Sequence, residues 1–555
     1  MSARAFARTC GVLFAFTLSA APGLAAQRTQ RLETVSAPLG RRLSTAQLGS
    51  STCSRYAAPD EISSRGSGTL STQLVMALDT FRIGDSTYIR NVYNKRYNAP
   101  VLRMNPEEQL NINVTNNMSP YTATDTSYKG TNQHYHGLIV TPLPTRGDNV
   151  TNINLAPGQS NLNSFPVPDF QSQGMMWYHP HPHGKTSAQV AGGLAGPMII
   201  GDLLAAFPDY AGATERILVI KDTRNGGKSY LNINGNPCTV LTIRPGEKQL
   251  WRIGNFTSGT WVNLKLGEPG ANYPFIALAL DGNHLSQPTE MDSLFIPPGS
   301  RAEVIVIGGS GVWTGARLYS DSVASSFNPS TGVLRAKNPR VDLGTLITTG
   351  DMLPVAPRAQ RPELIPENMA LVDSIRRLEA TEVVERFTLH FQSVGNGLGL
   401  NDSLYSPTRI DRRVAVGVAQ EWTLINDTNF LHTFHIHQVD FVVTRINGVP
   451  QPDSVHLDNV HLGIHQLPSG TWAGDTVVVR FKFKPIAAGP FVYHCHDLSH
   501  EDAGMMANVC VYDPAQGQTP AWCNQFFTGH SSHAAAEGNP ERPRVLPTHG
   551  THRRE

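Results

Sequence analysis

The chain has 555 residues, more than one hydrophobic core accommodates, so about three or four units are expected. An apolar fraction of 40% fits ordinary globular packing. Its 45 Lys and Arg nearly balance 44 Asp and Glu, leaving no broad field to attract a polyanion or an anionic membrane, which argues against nucleic-acid binding.

Residues 1–26 read as an export signal: Arg4 and Arg8, an apolar run from Cys10 to about Ala20, and small residues ending in Gly23-Leu24-Ala25-Ala26. A membrane anchor is the rival reading, but the apolar stretch is short and Pro22-Gly23 breaks it. No twin arginine or lipid-anchor cysteine accompanies it, so a periplasmic or extracellular protein without a membrane anchor is expected. Residues 27–65 read as a loosely ordered N-terminal segment.

An alternating strand then starts after Pro106 and ends in Asn116. The same shape returns from Pro245 to Asn255 and again from Trp422 to Asn426, at offsets of 139 and 171 residues. A second landmark, Pro157-Gly158, Pro298-Gly299 and Ser469-Gly470, recurs at 141 and 171. Two landmarks with nearly equal offsets argue for three copies of one β-unit. Period-two strands between Gly, Pro and Asn turns point to an all-β fold of three Greek-key sandwiches. The units are placed at 66–205, 206–350 and 375–515, with a proline-bearing linker at 351–374. The tail, 516–555, carries His530, His533, His549 and His552 and reads as solvated rather than metal-binding.

Five cysteines remain after the signal. Cys495 lies between two histidines and suits a metal thiolate. Cys53, Cys238, Cys510 and Cys523 could form up to two disulfides, in any of three pairings.

The histidines gather in four places in the first and third units: His134 and His136; His179 and His181; His432, His435 and His437; and His494, Cys495 and His496, followed by His500 and Met505. Chance supplies roughly one H-x-H in such a chain, but only about 0.03 H-x-x-H-x-H and about 0.0003 H-C-H-x-x-x-H, so satisfied core histidines do not account for the set. On a strand, residues two apart share a face, so His494 and His496 look one way and Cys495 the other. By the same rule His435 and His437 share a face and His432 takes the opposite one, where it can join Cys495. His432, Cys495, His500 and Met505 then make two imidazoles, a thiolate and a thioether, the ligand set of a blue-copper electron-transfer site. Zinc, the rival, has no redox chemistry and no use for imidazoles wired to the thiolate. The other eight imidazoles come equally from the first and third units, which must therefore pack together, and they suit three coppers with open positions for oxygen.

H-x-H, W-Y-H-x-H, H-x-x-H-x-H and H-C-H-x-x-x-H-x-x-x-x-M, in this order at the two ends of a three-sandwich chain, resemble the multicopper oxidases, over nearly all of 66–515. The nearest looks within the family are bacterial and spore-coat laccases, bilirubin oxidases and cuprous oxidases. The resemblance implies cupredoxin-like domains and four coppers. His134 and His435 would hold the type 2 copper; His136, His179 and His496 one type 3 copper; His181, His437 and His494 the other. His183 offers an overlapping pair with His181, but Trp177-Tyr178 sets the frame on His179, and His183 is taken as a neighbour.

The resemblance further implies one-electron oxidation of a donor near His500 and reduction of O2 to water, with electrons passing from Cys495 to His494 and His496. Glu501 and Asp148 match the family's acidic proton donors, with surface acids as the alternative. Met505 implies a lower potential than an apolar axial residue would give, and therefore easily oxidised phenols, amines or pyrroles. A metal-ion oxidase acting on Cu(I), Fe(II) or Mn(II) is one alternative, although no methionine-rich insert is visible; a copper-free scaffold is another. A monomer is expected.

Overall fold

The strand Gln109–Asn117 lies between the parallel strand Thr69–Ile83 and the antiparallel strand Ser160–Pro166, and Thr69–Ile83 pairs on its other edge with Ser86–Tyr93. The same arrangement centres on Lys248–Asn255, flanked by Thr214–Asn225 and Arg301–Ile307 with Lys228–Ile233 outside. It recurs around Gln420–Asn426, flanked by Glu385–Val394 and Thr476–Phe481 with Gly397–Leu400 outside. This computed structural model describes residues 53–527 apart from 65, 145, 226–227, 269–270, 310–314, 354–365, 381–383 and 452–454. The expected signal 1–26, residues 27–52 and the histidines of the tail lie outside the described residues.

Alternation fixes which face each strand buries: Leu110, Ile112 and Val114 point inward along Gln109–Asn117, as do Trp422 and Leu424 along Gln420–Asn426. A second sheet closes each sandwich, and the fold is all-β and cupredoxin-like. In the first unit that sheet runs Glu61–Ser63, Val101–Met104, Gly196–Ile200, Met175–His179, His134–His136. In the third it runs Arg412–Ala415, Met506–Tyr512, Gly489–Cys495, His432–Ile436, Asn459–Leu462. The histidine-bearing strands are therefore neighbours within each sheet.

The three asparagines that ended the repeats share one task. Each is buried, donates through Nδ2 to carbonyls across a loop, and accepts through Oδ1 the amide two residues on. Asn116 binds the Leu155 carbonyl at 2.7 Å and the Met118 amide at 3.0 Å. Asn255 binds the Ile296 carbonyl at 2.8 Å and the Thr257 amide at 3.2 Å. Asn426 binds the Phe430 carbonyl at 2.7 Å and the Thr428 amide at 3.0 Å.

The second landmark is placed differently in the third unit. The Asn116 and Asn255 carbonyls accept the amides of Gly158 and Gly299, and their amides donate to Gln159 and Ser300. The Asn426 amide donates to Asp475, so Gly474 holds the equivalent position, where a Cβ would stand 2.0 Å from the Asn426 carbonyl. Gly470 instead turns a hairpin between Ile464–Gln466 and Trp472–Gly474.

Three further segments depart from expectation. Residues 53–63 are tied down, because Cys53 is disulfide-bonded to Cys238, Ser54–Arg55 pairs with Thr239–Ile243, and Glu61–Ser63 joins the first unit. Cys510 is bonded to Cys523, holding a turn at Pro520–Phe526 against the third unit where a loose tail was expected. The stretch taken as linker ends in a helix, Pro366–Ala380, that continues into the third unit and lies against Phe441–Ile446.

All three units meet in one apolar cluster: Val101, Met175, Trp177 and Ile199 from the first, Ile217, Val219 and Phe256 from the second, Leu498 from the third. Polar contacts reinforce it, since Asp502 accepts the amides of Thr186 and Ser187 at 3.2 and 2.9 Å at the start of the helix Thr186–Gly192.

Candidate metal centres

Gly489–Cys495 is buried along its whole length, with Phe434 opposite Cys495 and His435 opposite His494 on the neighbouring strand. Cys495 Sγ lies 3.5 Å from His432 Nδ1 and 3.7 Å from His500 Nδ1, and the two Nδ1 atoms are 3.1 Å apart. The His432 Nε2 edge meets Thr428 Oγ1 at 2.7 Å, which turns Nδ1 toward the sulfur. His500 is carried by the short helix Leu498–Asp502, whose first turn Asp497 caps by accepting from the amide and hydroxyl of Ser499. Met505 is fully buried in the same core cluster as Cys495, and its amide donates to the His500 carbonyl at 3.0 Å.

Burial pushes the Cys495 thiol well up. Two imidazole nitrogens and a sulfur converge on one point in a dry interior, where a soft cation among them would hold the thiolate that burial otherwise disfavours. The donor set therefore fits a blue-copper site.

The other eight imidazoles converge between the first and third units, all nearly or fully buried. His134 stacks on His437 with ring centroids 3.8 Å apart, and His136 on His435 at 3.9 Å. Several are oriented by a contact at one nitrogen that leaves the other bare. Nδ1 of His134 meets Asp148 Oδ2 at 3.0 Å, that of His179 the Pro180 carbonyl at 2.9 Å, and that of His435 the Asp458 carbonyl at 2.7 Å. Their Nε2 atoms are buried without a hydrogen-bond partner, as are Nδ1 of His136 and both ring nitrogens of His437 and His496. Such orphaned lone pairs in a dry interior are costly unless a cation takes them. Burial, then the neighbouring imidazoles, hold His134, His437 and His496 far below the usual histidine range, and burial takes His179 to about 3, so they stay neutral as metal ligands must. The pocket fits metal ions.

The grouping is not uniform. Ligand atoms of His181, His437 and His494 lie within 4.8 Å of one another, and so do those of His134, His136 and His179 and those of His134, His435 and His437. His496 enters no such group among the described residues; its ring stands 4.9 Å from His136 and 5.7 Å from His179. His183 is exposed and turned away, its ring 4.6 Å from Tyr405.

Both candidate proton donors are buried beside the cluster. Glu501 places Oε2 3.2 Å from His494 Nδ1 and Oε1 3.5 Å from His181 Nδ1. Burial, reinforced by Asp502, pushes its carboxyl well above the ordinary range. Asp148 is pushed up to about 7 by burial, against the opposing hydrogen bonds from the Tyr135 amide and Gln438.

Other residues at the site were not read as functional from the sequence. Trp177 stacks on His179 at 4.1 Å and on Phe256 at 4.5 Å. Asp458 and Asn459 face His136 Nε2 at 3.4 and 3.1 Å. A cavity of about 320 Å³ opens beside His500, walled by Trp261, Phe430 and Leu431, with Arg335 and Asp497 as its charged groups. Its Trp261 and Arg335 come from the middle unit, a contribution that the histidine pattern gave no reason to expect.

Two sequence-family models, both described as multicopper oxidase, match residues 82–204 and 376–515. The chain is 23% identical over 439 residues to a multicopper oxidase of Staphylococcus aureus, covering 76% of this chain and 83% of that protein. It is also 23% identical over 449 residues to a cell division protein FtsP of Edwardsiella tarda, covering 76% and 85%. Among solved structures, a multicopper oxidase from Campylobacter jejuni, described as a metallo-oxidase, superposes with a TM-score of 0.64 at 22% identity, covering 83% of this chain and 95% of that one. With the histidine clusters buried at the contact of the first and third units, the chain belongs to the multicopper oxidase family.

Proposed function

We propose that the chain is a laccase-like oxidase with four coppers, which removes single electrons from a reducing donor beside His500 and reduces O2 to water at the imidazole cluster. The observation that carries this reading is the triangle of Cys495 Sγ, His432 Nδ1 and His500 Nδ1 on a cysteine whose chain neighbours, His494 and His496, both belong to that cluster. The type 1 copper is assigned to His432, Cys495, His500 and Met505, and the type 2 copper to His134 and His435. The type 3 coppers are assigned to His136, His179, His496 and to His181, His437, His494. Bound there, copper would supply one-electron acceptance at the thiolate and oxygen reduction among the imidazoles.

The chain's own residues do the rest. The covalent backbone of Cys495 joins the thiolate to two cluster imidazoles without a gap. The apolar packing of Trp177 against Phe256 excludes water from one flank of the cluster. Glu501, its carboxyl raised by burial, lies within reach of His494 and His181, and Asp148 fixes the tautomer of His134 while retaining a carboxyl near its titration point.

The aromatic and aliphatic walls of the cavity beside His500 support an aromatic donor, preferably phenolic. Asp497 at the same cavity, with Oδ2 3.7 Å from His500 Nε2, supports the second reading, a metal-ion oxidase. A copper-free scaffold has no use for so many orphaned imidazole nitrogens. No helix among the described residues is long and apolar enough to cross a membrane, and the proposal of an exported protein rests on the pattern of residues 1–26.

Oxygen uptake by the copper-loaded protein, measured with a series of phenols against Cu(I), Fe(II) and Mn(II), tests the reading. Phenol-driven uptake is expected. Uptake with metal ions alone selects the second reading, and a copper-loaded protein without absorption near about 600 nm discards both.

A further inference from the structure

The middle unit supplies none of the histidines of either centre, yet one of its turns reaches the imidazole cluster. That turn is Pro298-Gly299-Ser300-Arg301, which joins Leu294–Ile296 to Arg301–Ile307. Arg301 is fully buried and uses every donor of its guanidinium. Nε donates to the Met175 carbonyl of the first unit at 3.0 Å. Nη1 donates to the Gly299 carbonyl at 3.1 Å and to Asp458 Oδ1 at 2.8 Å, and Nη2 to the Asp281 carbonyl at 2.9 Å and to Asp458 Oδ2 at 2.6 Å. One side chain therefore grips all three units, and its fork closes on a carboxylate of the third.

Asp458 and Asn459 are the groups against the cluster. Asp458 presents Oδ1 to His136 Nε2 and its carbonyl to His435 Nδ1, and Asn459 Nδ2 reaches His136 Nε2 while also donating to the Gly299 carbonyl at 3.1 Å. Gly299 has φ +84°, and a Cβ there would stand 2.7 Å from the His496 ring, so the turn's backbone lies directly against a third imidazole. Apolar residues often stabilise an interior as well as a buried ion pair does, so stability alone gives the chain little reason to bury this one; fixing the direction of a ligand-bearing side chain does.

We propose that Arg301 is a positioning residue for the trinuclear copper site, acting from the middle unit through Asp458 on His136 and His435, with Gly299 shaping the seat of His496. The inference rests on the copper reading above. It assigns the middle unit a task in oxygen reduction that is separate from spacing the outer two.

The test uses the full-length protein loaded with copper and reads copper per folded chain, absorption near about 600 nm, and the electron paramagnetic resonance signal of a tetragonal copper. Arg301→Met is expected to keep the blue band while falling from about four coppers toward about one and losing the tetragonal signal. Arg252→Met is the control, because Arg252 is also buried in the middle unit, paired with Glu303 and Glu215, and touches no cluster histidine. That control is expected to lower thermal stability with its copper complement intact. Arg301→Lys, which keeps a cation and loses the fork, and Asn459→Ala decide the matter if Arg301→Met does not fold; both are expected to lose tetragonal signal before blue absorption. Full copper and an unchanged signal in the Arg301 variants, or equal loss in Arg252→Met, would overturn the proposal. A wild-type chain that takes up no copper would instead remove the reading on which it stands.

Discussion

The amide of Cys495 donates to the carbonyl of Met505 at 3.0 Å, so the thiolate and the thioether proposed for one copper are held by a shared backbone bond rather than by side-chain packing alone. Replacing Met505 with Leu leaves that bond and the buried volume nearly unchanged and removes only the sulfur. The variant is expected to stay blue and to show a higher midpoint potential, because a weak axial donor stabilises the oxidised copper. A redox titration following the blue band checks this, and an unchanged potential takes Met505 out of the ligand set. Cys495→Ser is expected to lose the band altogether.

Glu501→Gln keeps the shape of the side chain and cannot release a proton. If Glu501 is the proton donor, oxygen uptake should fall about 100-fold or more, while anaerobic bleaching of the blue band by the donor keeps its rate. Burial raises this carboxyl, so the wild type keeps its proton well above the usual carboxylate range and loses turnover only as pH climbs through the raised value. That alkaline limb should be missing from the Gln variant. A variant with wild-type turnover across the profile would leave Glu501 as a structural acid.

Most of the thiolate site was legible because its residues are local: H-C-H and a histidine and a methionine shortly after are written within one strand and the turn that follows. Strand parity also told which imidazoles share a face. The grip on His136 was not legible, since Arg301 and Asp458 are 157 residues apart and neither sits in a motif. The third-unit turn was misplaced for a related reason: Ser469-Gly470 has the residue type and the left-handed glycine, but only the backbone bond from Asn426 to Asp475 identifies the equivalent position. Pairing of the four other cysteines depended on Cys53 reaching back to the middle unit, which spacing does not encode.

Asn116, Asn255 and Asn426 make the repeat testable energetically. Each satisfies a backbone carbonyl that lies inside the protein, that of Leu155, Ile296 or Gly463, so replacement by Ala strands that group at about 1–3 kcal/mol. For units of this size that corresponds to about 2–4 °C in Tm per kcal/mol. Scanning calorimetry should give similar losses for Asn255→Ala and Asn426→Ala. A loss at one position and none at the other would mean that the shared geometry is not a shared load.

Lys221 offers a pH dependence remote from the copper ligands. Its ammonium is buried at the contact of the first two units, donates to the carbonyls of Tyr97 and Gly193 at 2.8 and 3.1 Å, and lies 4.8 Å from the Tyr97 ring centre. Desolvation, which no carboxylate among the described residues offsets, lowers the amine to about 7. Between that value and the ordinary lysine range the unfolded chain binds a proton that the folded chain does not, so stability must rise with pH. That slope is at most about 1.4 kcal/mol per pH unit between the two values, and the stability it adds is complete above the ordinary lysine value and lost as pH falls to about 7. Lys221→Met should remove the slope while leaving the two carbonyls unpaired. Denaturant unfolding of both proteins at pH 7, 8 and 9, taken as a difference so that other titrating groups cancel, would read it directly, and parallel curves would show that Lys221 is charged in the folded protein at neutral pH.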